Sequence, residues 1–358
     1  MSVAYVTPRA LLTDAAAAEA IAARWAWPLL GGRLAFAAMD VATRADGELK
    51  QLGSVVRTAY DKDARGIAAP LRDAIERQVA ELGKAPAAFV GLTQYPALMG
   101  VLNVTPDSFS DGGKHSAVDA AVAHGLALVE AGAALVDVGG ESTRPGAAPV
   151  GEAEEIARVV PVIQALTARG VSVSIDTRHA AVMREAVAAG ARVINDVTAL
   201  TGEPQSVAIA AKAGVPVVLM HMQGEPQTMQ NNPTYVWAPG DIYDYLAARI
   251  EACVAAGIPK SRIAVDPGIG FGKSDVHNAE LLNHLAMFHG LGCAVVLGAS
   301  RKGFIGRMSR GEAADARLGG SLVAALHGAG QGAQILRVHD VAETRQALAV
   351  AARLSSGR

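Results

Sequence analysis

The stretch VSVSIDTRHAAVMREAVAAGARVINDV, residues 171–197, decides the fold class. It contains two short apolar strands, VSVSID and ARVINDV, separated by a helical stretch. Strands this rich in Val and Ile, without polar alternation, are buried on both faces, which requires helices packed over a parallel sheet. Each strand also ends in polar residues, Asp176 in the first and Asn195 with Asp196 in the second. The stretch therefore predicts a strand–helix–strand unit with polar groups at one edge of the sheet.

The same alternation extends in both directions and yields eight strands between Met99 and Asp340. The other six strands also lead to polar residues, which are Asn103, Glu141, His221, Asp266, Lys302, and Arg337 with His339 and Asp340. Eight strand–helix repeats predict an α/β fold, a TIM (β/α)8 barrel whose polar strand ends converge on one pocket. A doubly wound open sheet is the alternative. It is disfavoured because no GxGxxG turn follows the first strand and because polar endings recur on all eight strands.

At 358 residues the chain exceeds a typical barrel of roughly 250, which leaves room for an additional N-terminal module. Thr13 can cap an Ala-rich helix, RLAFAAMDV is a plausible strand, and a second helix ends at Gly83 as a C-terminal glycine. We therefore predict a small α/β module of unknown role at residues 1–90, called the N-terminal module, and a catalytic barrel at 91–358. The segment AAFVGLTQYP between them should close the barrel floor.

Composition narrows the class of partner. The formal charge is −2 with interspersed signs, so nothing marks a surface for nucleic acid or membrane, and a small-molecule partner is expected. Cys253 and Cys293 lack CxxC spacing, which argues against a disulfide framework or a zinc site and for a reducing compartment. The first residues do not read as a leader peptide, and no apolar run reaches the roughly 18 residues of a membrane span. A cytoplasmic location is expected.

Eight motifs at the strand ends follow one another in a specific order. They are NVTPDSFSDGG from Asn103, GGESTRPG, SIDTR, INDVTAL, MHMQGEPQTMQ, DPGIGFGKS, LGASRKGF and RVHD. This ordered set closely resembles the dihydropteroate synthase family of folate biosynthesis, over residues 97–355. The resemblance implies a transferase that joins 4-aminobenzoate to (7,8-dihydropterin-6-yl)methyl diphosphate, with release of diphosphate and 7,8-dihydropteroate. It also implies that Mg²⁺ accompanies the diphosphate.

The resemblance places a pterin pocket at the ends of several strands. A pterin edge presents paired N–H donors, which buried carboxylates such as Asp176 and Asp266 can accept, while Asn195 can both donate and accept. Lys302 would donate to the ring carbonyl and lie near the incoming aminobenzoate. The apolar walls implied are Met220 and Phe271.

A second group of residues would hold the diphosphate. The leaving group develops negative charge and needs cationic donors, and phosphate sites in this fold commonly follow strands seven and eight. Arg337 and His339 at the eighth strand, with Asn103 across the rim, fit this task. Thr143 would fix a neighbouring loop. Asn103 would also ligate Mg²⁺, which takes few protein ligands when phosphates are present.

Loss of diphosphate beside an electron-rich pterin predicts a stabilised cation at the methylene carbon and an SN1-like path. Such a cation must be sheltered from water, and two rim loops could provide the cover. By resemblance, Asp111 and Arg144 from these loops act in catalysis together with Lys302. The aminobenzoate cavity would be shaped by Phe109, Pro145, Phe271 and Gly303, the last at a position where family members often have Ser.

Several residues also have simpler structural interpretations. Asp137 and Asp196 fit a helix cap or turn as well as a functional role, and His221 fits a core position as well as a site. The carboxylates of GEAEEIAR, residues 151–158, are most simply a solvated helix face.

Two other functions compete with the synthase. A methyltetrahydrofolate-binding domain of a corrinoid methyltransferase could share Asp176, Asn195 and Asp266 but would not need the first-loop, SRK or RVHD motifs. An inactive pterin-binding paralogue or scaffold is the third possibility. The family's usual homodimer is plausible, since the small residues of LGGSLVAALHGAG permit close helix packing.

Overall fold

The computed structural model describes residues 3–45, 47–86, 88–104, 114–142, 149–225 and 228–356, with only the backbone for 114–116 and 356. Eight parallel strands close into a barrel in chain order, the last pairing with the first. The barrel strands are β5 (Ala97–Asn103), β6 (Leu135–Gly139), β7 (Val173–Asp176), β8 (Val193–Asp196), β9 (Val217–Met220), β10 (Ile263–Asp266), β11 (Ala294–Leu297) and β12 (Ile335–Val338). The predicted TIM barrel is confirmed, and closure of the sheet excludes the open alternative.

Helices follow every barrel strand and cover the outside of the sheet. They are α4 (Lys114–Ala131), α5 (Glu152–Thr167), α6 (Ala180–Ala188), α7 (Ser206–Ala213), α8 (Ala238–Ala255), α9 (Asp275–Asn283), α10 (Gly303–Arg307), α11 (Leu318–Gly330) and α12 (Val341–Ser356). Among the described residues no helix is both long and apolar enough to span a membrane.

The barrel floor is closed by the segment that precedes β5. The Phe89 ring is buried and packs with inward-facing residues at the amino ends of the strands, among them Met99, Leu135, Val193 and Ile335. This agrees with the prediction for AAFVGLTQYP. Because the floor is filled by apolar side chains, the opposite rim is the open end of the barrel and holds the polar strand ends.

The N-terminal module is an antiparallel sheet covered by helices. Its elements are β1 (Val3–Thr13), α1 (Asp14–Ala22), β2 (Trp27–Leu29), β3 (Leu34–Ala45), β4 (Glu48–Val56), α2 (Arg57–Asp63) and α3 (Ala69–Leu82). β3 pairs with the other three strands. The small α/β module is thus present, with more strands than the single one predicted.

Two details of the N-terminal module differ from expectation. Thr13 does precede α1, but its side chain makes no capping hydrogen bond because the residue still belongs to β1. Gly83 follows α3 with φ −76°, so it continues right-handed backbone and is not the left-handed C-terminal glycine that we predicted.

Candidate active site

Arg337, at the end of β12, joins polar residues from three other strands. Its Nε donates to Asp137 Oδ2 at 2.6 Å and its Nη2 donates to Asp176 Oδ2 at 2.6 Å. Asn195 Nδ2 donates to the same Asp137 oxygen at 3.0 Å. Residues from four strands therefore meet in one hydrogen-bonded cluster. Asp137, for which the sequence left a cap or turn role open, lies fully buried at its centre.

The charges in this cluster compete. Burial raises the pKa of Asp176 to about 7, against the opposing effect of the Arg337 guanidinium, and the nearby Asp137 carboxylate raises it further. Burial would lower the pKa of Arg337, but the two carboxylates outweigh it and keep the guanidinium charged. One cation thus faces two carboxyl groups. A ligand that brings N–H donors to Asp176 favours its ionised form.

A second polar group lies across the rim at β10. Asp266 is buried, and its Oδ1 accepts a hydrogen bond from the Gly268 amide at 2.7 Å. Its other oxygen, Oδ2, lies 3.5 Å from the position that a Cβ on Gly298 would occupy. Burial raises the pKa of this carboxyl, and the Lys302 ammonium opposes the rise.

Lys302 projects over the turn that follows Asp266, residues 268–272, which we call the glycine turn. Its Nζ donates to the Ile269 carbonyl and lies 4.2 Å from the centroid of the Phe271 ring. Burial lowers the pKa of Lys302 to about 7, although the Asp266 charge opposes this. Gly268 has φ +70°, and a Cβ there would overlap the carbonyl oxygen of His221. The close approach of backbone in this turn therefore requires glycine.

The glycine turn is supported from behind by a buried lysine. Lys273 is fully buried, and its Nζ donates to the carbonyls of Phe271 at 2.9 Å and His221 at 3.3 Å. The same Nζ lies 3.0 Å from His221 Nδ1. Burial lowers the pKa of His221 to about 2, and the Lys273 charge adds to the effect. His221 is therefore a partner of Lys273 within the core. Met220, the residue before it, is a buried side chain at the end of β9.

The residues predicted for diphosphate lie at two neighbouring strands, β12 and β5, and not across the rim from each other as expected. His339 follows β12, and both its amide and its Nδ1 contact Ser300 Oγ, at 3.2 and 3.1 Å. Asn103 ends β5 and is half-buried. Gly303 begins α10, directly after Lys302. The loop residues Phe109, Asp111, Thr143, Arg144 and Pro145 lie outside the described residues.

The chain is similar in sequence and in fold to known proteins. Residues 99–339 match the model of a family described as pterin binding enzyme. The dihydropteroate synthase of Escherichia coli K12 is 48% identical over 257 residues, which are 72% of this chain and 90% of the relative. The chain belongs to the dihydropteroate synthase family. Solved family members agree in fold. A Xanthomonas albilineans enzyme with 4-aminobenzoic acid is 50% identical, with a TM-score of 0.69 over 73% of this chain and 93% of its own.

A second solved member of the dihydropteroate synthase family is described in complex with a sulfonamide drug. The Yersinia pestis enzyme in a sulfonamide drug complex is 49% identical, with a TM-score of 0.70, and the match covers 74% of this chain and 98% of that chain. These relatives favour the synthase over the corrinoid methyltransferase domain, which was the sequence-based competitor.

For two residues the structure differs from the sequence interpretation or adds to it, and for Asp196 it decides between the two interpretations left open. Glu155 is not part of a solvated helix face: it is fully buried and contacts His179 Nδ1 at 2.7 Å. Asp196 is a turn former, since its carboxylate accepts from the amides of Thr198 and Leu200. Lys273 was read only as part of a motif, and no signal in the sequence marks a lysine as buried.

Proposed function

We propose that this chain condenses (7,8-dihydropterin-6-yl)methyl diphosphate with 4-aminobenzoate, forming 7,8-dihydropteroate and diphosphate. The observation that carries the proposal is the convergence of Asp176, Asn195, Asp266, Lys302 and Arg337 at one rim of the barrel. Such a set of buried acceptors and donors is suited to the polar edge of a flat heterocycle. A Xanthomonas albilineans relative, 46% identical, has been solved in complex with 7,8-dihydropteroate.

The pterin would be held by opposed hydrogen-bonding groups. Asp176 and Asp266 would accept its N–H donors, Asn195 would pair with its edge, and Lys302 would donate to its carbonyl oxygen. Binding of N–H donors would draw the pKa of Asp176 below its free value of about 7, because such donors stabilise the carboxylate. The flat ring would rest against Met220 and the Phe271 wall.

The chemical step would be dissociative. The bond from the pterin methylene carbon to the diphosphate oxygen breaks and the electron pair leaves with diphosphate, which gives a cation stabilised by the pterin. The amine nitrogen of aminobenzoate then attacks this carbon and loses a proton to solvent. No strong protein base is needed, because the electrophile is highly reactive. Arg337 and His339 would stabilise the negative charge of the departing diphosphate.

Mg²⁺ is a further proposal. Among the described residues no group of three His, Cys, Asp or Glu side chains could hold a metal ion. Mg²⁺ in a phosphate site does not require such a group, because it uses one or two protein ligands together with phosphate oxygens and water. The amide oxygen of Asn103, at the open rim, is the ligand that we propose. When bound, the ion would neutralise charge on the diphosphate. Calorimetric titration of Mg²⁺ and diphosphate into the chain and its Asn103→Ala variant would test this ligand without turnover.

We also propose a homodimer and a cytoplasmic location. Helices α11 and α12 present an apolar surface on which Val323, Val350 and Leu354 are exposed by 68%, 54% and 80%. A second copy of the chain would cover this face, and a monomeric mass by light scattering would refute the dimer. The location is supported by Cys253 and Cys293, which are both buried and unpaired, as expected in a reducing compartment.

The decisive experiment is diphosphate release by the purified full-length protein. The protein receives the pterin diphosphate and Mg²⁺, with and without 4-aminobenzoate, alongside Lys302→Ala. Formation of dihydropteroate that requires both substrates and falls at least about 100-fold in the variant would support the synthase. Tight pterin binding without product would instead support the inactive paralogue.

A further inference from the structure

The N-terminal module contacts the barrel at the beginning of α8, the end of that helix nearest the catalytic rim. Arg44, at the end of β3, donates through Nη1 to Asp244 Oδ2 at 2.7 Å and through Nη2 to Asp241 Oδ1. The Tyr5 hydroxyl donates to the same Asp244 oxygen at 2.7 Å. The Tyr5 ring is buried edge-on against Trp237, with centroids 5.7 Å apart. An ion-pair network and a buried aromatic pair thus join the module to the first turns of α8.

Asp241 also binds backbone amides of the barrel, in addition to Arg44 of the module. Its other oxygen, Oδ2, accepts hydrogen bonds from the amides of Val236 at 2.8 Å and Trp237 at 3.2 Å. These amides end the segment between β9 and α8, residues 221–237, which we call the rim segment; its residues 226 and 227 lie outside the described ranges. One carboxylate therefore ties Arg44 of the module to the backbone of the rim segment.

The rim segment in turn contacts the glycine turn at two points. Gln230 Nε2 donates to the Gly270 carbonyl at 2.6 Å, and the Tyr235 hydroxyl donates to the Gly272 carbonyl at 2.7 Å. The segment is closed on itself by reciprocal hydrogen bonds between Gln223 and Thr234, at 3.0 and 3.1 Å. The two contacted carbonyls flank Phe271, the residue whose ring faces the Lys302 ammonium.

We propose that the N-terminal module is a positioning element of the active site. Arg44, through Asp241, fixes the rim segment, and the rim segment holds the glycine turn against Lys302. None of Arg44, Asp241, Gln230 and Tyr235 is among the residues that we propose to bind the substrates, so their effect would be on the placement of groups that are. The inference rests on the proposed function for its kinetic readout only.

The module offers a matched control. Arg33 is also an arginine of the module that contacts the barrel: its Nη2 donates to the Tyr95 carbonyl at 3.0 Å, and its guanidinium lies 5.0 Å from the Tyr95 ring centroid. Tyr95 belongs to the segment that closes the barrel floor, at the opposite end from the rim. If the module only adds stability, loss of either arginine lowers the unfolding temperature and leaves kcat/KM unchanged. If the module positions the active site, loss of Arg44 lowers kcat/KM and loss of Arg33 does not.

The test compares full-length wild type with Arg44→Met, Arg44→Lys and Arg33→Met. We expect kcat/KM for the pterin diphosphate to fall about tenfold in Arg44→Met, since misplacement of supporting groups by about 1 Å costs up to ~100-fold. Arg44→Lys keeps a cation near the two carboxylates and should recover part of the loss. Arg33→Met should stay within about twofold of wild type.

Amide hydrogen exchange supplies a readout that does not depend on turnover. We expect faster exchange at residues 228–237 and 268–272 in Arg44→Met, and unchanged exchange there in Arg33→Met. If Arg44→Met does not fold, Asp241→Asn replaces it, because Asn can still accept the two backbone amides while losing the ion pair. Wild-type exchange at both segments in the Arg44 variant, or equal losses in both arginine variants, overturns the inference. If the wild-type protein has no synthase activity, the proposed function is refuted instead. Amide hydrogen exchange then still decides whether Arg44 fixes the rim segment and the glycine turn.

Discussion

Replacement of Asp137 by asparagine should weaken catalysis without unfolding the barrel. Asp137 accepts from Arg337 Nε at 2.6 Å and from Asn195 Nδ2 at 3.0 Å, and its side chain is fully buried. Asparagine keeps the shape and one acceptor oxygen but removes the charge that faces the guanidinium. Of its two hydrogen-bonded carboxylates, Arg337 would retain Asp176. The substitution therefore disturbs the orientation of Arg337 more than the packing around it.

The size of the expected loss of activity follows from the environment of the Asp137–Arg337 ion pair. Loss of one partner of a buried ion pair typically costs about 3–5 kcal/mol. Here Asp176 remains, the Arg337 side chain is 21% exposed, and the asparagine oxygen still accepts a hydrogen bond. We therefore expect a cost of about 2 kcal/mol. Because this interaction holds Arg337 in place for the diphosphate, we expect the cost in transition-state stabilisation, where it corresponds to a roughly 30-fold lower kcat/KM for the pterin diphosphate. The assay is initial-rate formation of dihydropteroate at saturating 4-aminobenzoate.

Asp196→Asn is the matched control. Asp196 is also a fully buried carboxylate at a strand end, but it accepts hydrogen bonds from the following turn, including the Thr198 amide at 2.7 Å. Its replacement should lower the unfolding temperature with little change in kcat/KM. The reasoning for Asp137 would be refuted if Asp137→Asn kept wild-type kcat/KM, or if both variants lost activity equally.

Four further predictions concern the same rim. Because Asp176 must be ionised to accept N–H donors and Lys302 must be protonated to donate, and because both have a pKa of about 7, kcat/KM for the pterin should be bell-shaped around neutral pH. A profile that is flat from roughly pH 6 to 8 would contradict this. Because the pKa of Asp176 is higher in the folded than in the unfolded protein, its protonation stabilises the fold. This contribution to the free energy of unfolding is complete below the pKa of the unfolded protein and is lost as pH rises through about 7. The unfolding temperature should therefore fall between these two pH values more in wild type than in Asp176→Asn. Gly268→Ala should yield little folded protein by circular dichroism, since a Cβ there overlaps the His221 carbonyl; a normal melting curve would show that the turn can relax. Lys273→Met should lower stability by about 2–4 kcal/mol in urea unfolding, because two buried carbonyls lose their donor; unchanged stability would mean that water replaces it.

The sequence was sufficient for the architecture. Apolar strands without polar alternation, each followed by a helical stretch, specify a parallel sheet, and eight of them specify a barrel. Because the carboxyl ends of parallel strands meet at one rim, Asp176, Asn195, Asp266 and Arg337 could be grouped from their positions in the chain alone. The ordered motifs then predicted which of these residues bind the pterin, and that assignment stays a prediction.

The sequence could not distinguish Asp137 from Asp196. Each aspartate lies in a short apolar strand, so the local pattern is the same. The structure separates them by the location of their partners: Asp196 accepts from amides two and four residues further on, whereas Asp137 accepts from Arg337, 200 residues away. A partner at that separation is defined only when the barrel closes and brings β12 near β6.

The sequence also could not show which charged residues are buried or which residues join the module to the barrel. Helical periodicity placed Glu155 among solvated carboxylates, but packing of α5 against His179 buries it. Lys273 lies within a recognisable motif, yet its burial depends on the folded glycine turn. Nothing around Arg44 in the sequence points to Asp241. Strand and helix patterns are local properties of the chain, so the sequence by itself determined the barrel and its polar rim. Which charges are buried and which residues pair depends on distances across the folded structure. Only the tertiary structure therefore decided the buried charges and the pairs.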